Sequence, residues 1–158
     1  MRLDDTDWAI LRELQEDARL SYAEIGRRVG LSSPAVQERV RRMEDATVIK
    51  AYRADINYEA VGLPIMSLTR LMNVQGTDNI NKVKSIAQSI PQVIRCYHVM
   101  GQDEYVFQIV ATSVGDLEDI LHKFTDYGHL VSAIVINTPV DHSTIDLDTL
   151  PSLKDKHL

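Results

Sequence analysis

Seven cations, Arg27, Arg28, Arg39, Arg41, Arg42, Lys50 and Arg53, lie between residues 21 and 53, against four acids, Glu24, Glu38, Glu44 and Asp45. That segment is net +3, while the remaining ten bases and nineteen acids leave −9 and the whole chain carries −6. Guanidinium and ammonium groups at this density suit anionic oxygens, above all nucleic-acid phosphates, and the local distribution of charge matters more than its total. A charge cluster is equally the ordinary make-up of a solvated helix face. On pattern alone the two readings weigh the same.

Other chemistries find less support. His98, His122, His129, His142 and His157 share no metal-ligand spacing and read as surface or packing groups. Cys96 is the sole cysteine, so it can close no intramolecular disulfide and supply no thiolate set. It falls in an apolar stretch and is expected as a small core residue rather than a nucleophile. No catalytic, metal or cofactor site is expected. The chain has 158 residues, 44% hydrophobic and 25% charged, which fits one compact domain or two small ones with a packed core. No run approaches the roughly 18 apolar residues of a membrane helix, and MRLDDTDWAI is acidic where a signal peptide is basic, so a cytoplasmic protein is expected.

The basic residues are carried by elements with clear punctuation. Asp4 or Asp5 can cap a helix with Ile10, Leu11 and Leu14 at helical spacing. Ser21-Tyr22-Ala23-Glu24 fits a capping box for a second helix that Gly30 ends. Ser32 or Ser33 can cap a third, with Pro34 tolerated in its first turn. At 100° per residue, Val36, Val40 and Met43 share one face, Glu38 and Arg41 lie opposite, and Gln37 and Arg42 flank them. Arg39 lies nearer the core face, where its alternative role is to buttress the domain. Two helices joined through Gly30-Leu31-Ser32 have the shape of a helix-turn-helix, whose second helix enters a DNA major groove. Val48 to Ile56 alternates enough to predict a short β-ribbon, a wing whose Lys50 and Arg53 reach phosphates. In such an interface Ser33 and Gln37 face base edges, whereas Arg27, Arg28, Lys50 and Arg53 suit phosphates.

Residues 57–64 lose periodicity and contain Gly62 and Pro64, which marks a linker. Beyond it the elements alternate: strand Ile65 to Val74, helix Thr77 to Ser89 capped by Asp78 or Asn79, strands Val93 to Met100 and Tyr105 to Thr112, helix Val114 to Tyr127, strand Leu130 to Pro139. The order βαββαβ is the ferredoxin-like plan. The turn at Gly101 reads as a hairpin connection. From Asp141 no strong period remains, and whether that tail packs on a neighbour or stays free is open.

The stretches LDDTDWAILRELQEDARLSYAEIGRRVGLS, ERVRRMED with VIKAYRADI, and CYHVMGQDEYVF resemble, in order and spacing, the Lrp/AsnC family of leucine-responsive and asparagine-operon regulators. The resemblance spans Leu3 to about Val140. It implies an α+β protein with an N-terminal winged helix-turn-helix over 1–56, a linker over 57–64, a ligand-binding and oligomerisation domain over 65–140 and a tail over 141–158. It implies DNA contact through Arg27, Arg28, Ser32, Ser33, Gln37, Arg39, Arg41, Arg42, Lys50 and Arg53. An amino acid or related effector would bind between dimers near Gly101, Gln102, Asp103, Glu104 and Tyr105. Asp103 or Glu104 would face an ammonium group, and the backbone of Gly101 and Gln102 a carboxylate. Partners on this reading are double-stranded DNA, the effector and further copies of the chain, as a homodimer assembling to tetramer, octamer or larger. Gln102-Asp103 departs from the family's acid-then-aromatic pair, and Ala46-Thr47 lacks the glycine often found before the wing. Two alternatives are a tetrapyrrole decarboxylase-like enzyme on the same architecture and an effector-independent architectural DNA-binding protein.

Overall fold

Helix starts are set by side chains that take orphan backbone N–H groups. The Asp4 carboxylate accepts from the Asp7 amide at 2.8 Å and Asp7 accepts in return from the Asp4 amide at 3.1 Å, a capping box that opens α1, Asp5–Glu16. Ser21 caps α2, Tyr22–Val29, and Gly30 ends it at φ 74°, a conformation a Cβ would penalise. The expected second half of the box at Ser21 does not form, because the Glu24 carboxylate is held by Arg27 and Arg28 instead. Ser32, rather than Ser33, caps α3, Ser33–Asp45. Ile10, Ile25, Val36, Val40 and Met43 are fully buried and hold the three helices together. Each such side chain contributes about 1.5–3 kcal/mol on burial.

A computed structural model describes residues 1–146, and these divide into two units, Met1–Ala54 with residues 140–146, and Asp55–Pro139. Residues 57–64, expected as a linker, fall in the second unit, and residues 141–146 of the expected tail fall in the first; residues 147–158 of that tail lie outside the described residues. The expected β-ribbon over Val48–Ile56 is also absent. The Val48 and Ile49 amides turn back to the Met43 carbonyl at 2.8 and 3.2 Å, and residues 50–57 run exposed without strand pairing. A ribbon needs a second strand to take its N–H and C=O groups. Among the described residues that stretch meets none.

The second unit contains β1 (Ile65–Met72), α4 (Thr77–Ser89), β2 (Val93–His98), β3 (Asp103–Ala111), α5 (Val114–His122) and β4 (His129–Ile134). Its sheet has the order β2-β3-β1-β4 with every neighbour antiparallel, the ferredoxin-like arrangement expected from the βαββαβ order. The second helix stops earlier than Tyr127, in a 3-10 turn over Thr125–Tyr127. Gly76, not Asp78 or Asn79, occupies the α4 cap position, with no side-chain hydrogen bond. Leu71, Val83, Phe107, Ile109, Ile120 and Phe124 pack between sheet and helices, with the Phe107 and Phe124 rings 4.9 Å apart. The other sheet face is open: Leu68 pairs with Gln108 and Ala133, Tyr97 pairs with Val106, and Leu68 and Tyr97 are 47% and 52% exposed. Cys96 is exposed rather than buried, because β2 is an edge strand.

Candidate nucleic-acid interface and effector turn

Burying Val36, Val40 and Met43 fixes which side of α3 faces water, and Gln37, Glu38, Arg41 and Arg42 stand on the exposed side. Ser33, at the first turn, is half-buried, and the Ser32 hydroxyl accepts from the Ala35 amide at 3.4 Å. Arg41 makes a forked contact to Glu38, Nε to Oε2 at 3.1 Å and Nη2 to Oε1 at 2.8 Å, and lies 3.8 Å from Asp45. The Arg41 hydrogen bond holds Glu38 below the usual carboxylate range. Arg42, Lys50 and Arg53 are exposed and form no ion pair among the described residues.

On α2, Glu24 is the hub. Arg27 grips it at 2.7 and 3.1 Å, Arg28 donates to it at 2.9 Å, and Arg28 also donates to Glu13 of α1 at 2.8 Å. The hydrogen bonds from Arg27 and then Arg28 pull the Glu24 carboxyl down to about 2, so it stays ionised and both guanidinium groups are positioned on the surface. Arg27 is 73% exposed and Arg28 39%, so both remain accessible to phosphate oxygens.

Arg39 is placed apart from the other cations of α3. Its Nη1 donates to both Asp4 oxygens at 2.9 and 2.8 Å and to Asp7 at 2.7 Å, and the Asp7 side chain is only 2% exposed. Through Nη1 its guanidinium fastens α3 to the start of α1, the buttressing role that its position near the core face allowed. Burial raises the Asp4 carboxyl, but the Arg39 hydrogen bond and the Asp7 amide outweigh this and leave it below the ordinary value.

Two residues that position α3 escape sequence reasoning. A Cβ on Gly26 would stand 2.4 Å from the Leu31 carbonyl oxygen, and the Leu31 amide donates to the Gly26 carbonyl at 2.8 Å. Only glycine lets the turn between α2 and α3 close this tightly, whereas in sequence Gly26 reads merely as a weak helix former. The Tyr52 hydroxyl donates to Glu44 at 2.9 Å and tethers the exposed segment to the end of α3, with burial and then Glu44 pushing its pKa up.

In the second unit the connection of β2 to β3 spans residues 99–102, with Gly101 at φ 155° and Gln102 exposed. Asp103 opens β3 with one carboxylate oxygen 3.7 Å from Arg70 and the other, Oδ1, buried without a hydrogen-bond partner. Glu104 accepts from the Val74 amide at 3.2 Å and so secures the chain between β1 and α4. Tyr105 does not face the turn. It is 3% exposed, donates to the Ile80 carbonyl at 3.1 Å and stacks between His98 and Phe107 at 4.7 and 5.9 Å, because its register places it on the helix-covered sheet face. The turn thus offers the backbone of Gly101 and Gln102 together with one underused carboxylate oxygen. Among the described residues no group of three potential metal ligands gathers, and no helix is long and apolar enough to cross a membrane.

Comparison with known proteins matches residues 3–44 to the AsnC-type helix-turn-helix domain and residues 71–145 to the Lrp/AsnC ligand binding domain. The HTH-type transcriptional regulator LrpC of Bacillus subtilis is 34% identical over 137 residues, 87% of this chain and 94% of that protein. LrpA of Mycobacterium tuberculosis is 37% identical over 141 residues, 86% of this chain and 91% of that protein. The structure of B. subtilis LrpC superposes with a TM-score of 0.83 over 90% of this chain and 100% of that one, at 33% identity. A transcriptional regulator of Neisseria meningitidis, NMB0573, solved in complex with L-Met, superposes with a TM-score of 0.85 over 94% of this chain and 99% of that one, at 26% identity. These relatives are regulators, not enzymes, which decides against the decarboxylase alternative. With a helix-turn-helix unit of fixed polar face and a ferredoxin-like unit in the same order as theirs, this chain belongs to the Lrp/AsnC family of HTH-type transcriptional regulators.

Proposed function

We propose that this protein is a cytoplasmic regulator that binds pseudo-palindromic DNA as a dimer or larger assembly and answers to an amino acid held near the β2–β3 turn. The observation that carries the DNA reading is the outward face of α3, where Gln37 and Arg42 stand exposed and uncommitted beyond a core that fixes their direction. Ser33 and Gln37 are assigned to base edges, and Arg27, Arg28, Arg42, Lys50 and Arg53 to phosphates. Arg41 reaches phosphate once it exchanges Glu38, while Ser32 contributes as a cap and Arg39 as a buttress.

A second copy is assigned to the open sheet face, where the exposed Leu68 and Tyr97 and the half-buried Val106 stand beside Arg70 and Gln108. The effector reading rests on Asp103, whose buried Oδ1 lacks the hydrogen-bond donor that an ammonium group supplies. The L-Met bound to the N. meningitidis relative points to the same ligand class. Thermal unfolding with each of the twenty amino acids at millimolar concentration, on the protein and its Asp103→Asn variant, tests this. One amino acid at about 100 times its Kd adds about 2.7 kcal/mol to the unmodified protein. The variant loses that gain. If no amino acid raises the unfolding temperature, or the variant responds equally, the effector assignment is wrong. Sedimentation of the protein and its Tyr97→Glu variant tests assembly through the sheet face.

A further inference from the structure

The chain passes between the two units twice, at Ala54–Asp55 and again at Pro139–Val140, and the returning segment is gripped by the Gln15 side chain of α1. The Gln15 amide nitrogen donates to the Ile145 carbonyl at 2.9 Å, and the Ile145 amide donates to Gln15 Oε1 at 3.0 Å. His142 Nε2 lies 3.3 Å from the Gln15 carbonyl, a group in the last turn of α1 where helix carbonyls lack an internal partner. Gln15 Nε2 also donates to the Leu11 carbonyl at 3.2 Å, which orients the amide.

A primary amide carries the same donor and acceptor as a peptide group, so glutamine can pair with both backbone groups of one extended residue, much as a neighbouring strand does. Neither leucine nor glutamate can do so. Leucine offers no polar atom, and glutamate sets a second acceptor against the Ile145 carbonyl. The grip reaches across 130 residues of sequence, from the first helix to the segment that follows the last strand of the second unit. A unit tethered at one point is free to swing on its linker; a second tether removes most of that freedom.

We propose that Gln15 is a docking clamp for the chain returning from the second unit, and that this clamp fixes the separation at which two copies present their α3 helices to DNA. The claim rests on the DNA reading above. Two half-sites are bound together only when both recognition helices reach successive major grooves, so restricting the reach of each unit selects a half-site spacing.

The test has two arms on the full-length protein. The first is amide hydrogen exchange over residues 141–146 in the unmodified protein and in Gln15→Leu and Gln15→Glu. Two net hydrogen bonds slow exchange at Ile145 about tenfold to a hundredfold; Gln15→Leu returns it to the rate of an exposed amide, and Gln15→Glu, which keeps an acceptor for the Ile145 amide but repels its carbonyl, speeds it by a smaller factor, while α2, α3 and the sheet keep their protection in both. An Ile145 amide that exchanges freely in the unmodified protein, or equally slowly in Gln15→Leu, overturns the clamp. The second arm measures binding to duplexes whose two half-sites are moved apart by one, two and five base pairs. The unmodified protein favours one spacing, and the variants lose about tenfold of that preference while keeping affinity for a single half-site. Loss of protection with unchanged spacing preference overturns the link to DNA geometry. Failure of the unmodified protein to prefer any sequence overturns the DNA reading, while the exchange result decides the clamp by itself.

Discussion

Replacing Arg39 by methionine separates the arginine that builds the DNA-binding unit from those assigned to DNA. Methionine keeps most of the aliphatic stem and removes the guanidinium that reaches Asp7 at 2.7 Å and Asp4 at 2.8 and 2.9 Å. The Asp4 contact is exposed and worth at most about 1 kcal/mol. The Asp7 carboxylate is 98% shielded, and stripping the partner from a buried charge costs about 3–5 kcal/mol. Arg39 is itself 25% exposed, so water partly replaces it and the lower end applies. The expected loss is about 3 kcal/mol, or roughly 12–24 °C in the melting temperature of a small unit. Differential scanning calorimetry of Arg39→Met beside Arg42→Met measures it. Arg42→Met should melt with the unmodified protein, and Asp7→Ala combined with Arg39→Met should lose less than the sum of the two single changes. An Arg39→Met protein as stable as the original, yet impaired on DNA, refutes the assignment.

Three further outcomes follow from the same geometry. Gly26→Ala drives a methyl into the Leu31 carbonyl and should destabilise the first unit by about 1–3 kcal/mol, seen as an earlier melting transition with the second unit unchanged. Thr47 sits at φ 59°, a costly place for a β-branched residue, so Thr47→Gly should gain up to about 1 kcal/mol by urea titration. Glu24 has a folded pKa of about 2 against an ordinary 4.5, so its contribution is complete above pH 4.5 and lost as pH falls toward 2. Melting temperatures followed down that range should drop less steeply in Glu24→Gln than in the unmodified protein.

Local signals made much of the fold legible. The Val36, Val40 and Met43 stripe, the caps at Asp4, Ser21 and Ser32 and the Gly30 stop each depend on residues within a few positions, and the βαββαβ order followed from alternating periods. What escaped depends on distant partners. The Val48–Ile56 segment has strand character but, among the described residues, no strand to pair with, Arg39 answers to acids more than thirty positions away, and Gln15 to a residue 130 positions away. Tyr105 falls inside the effector turn by sequence, yet its place in the strand register sends it into the core. Gly26 carries no sequence mark, since its necessity comes from a carbonyl brought close only by the folded turn.

Most of the proposed function hangs on the exposed face of α3 reading DNA. The direct measurement is fluorescence anisotropy on DNA from upstream of the protein's own gene and on a scrambled duplex, across a salt series, for the unmodified protein, Gln37→Ala and Arg42→Ala. Tighter binding to the upstream DNA is expected, with Gln37→Ala losing about 1–3 kcal/mol of that preference. Arg42→Ala should weaken both duplexes alike and lower the salt slope by about one. Equal affinity for the two duplexes, or variants indistinguishable from the unmodified protein on both, would contradict it.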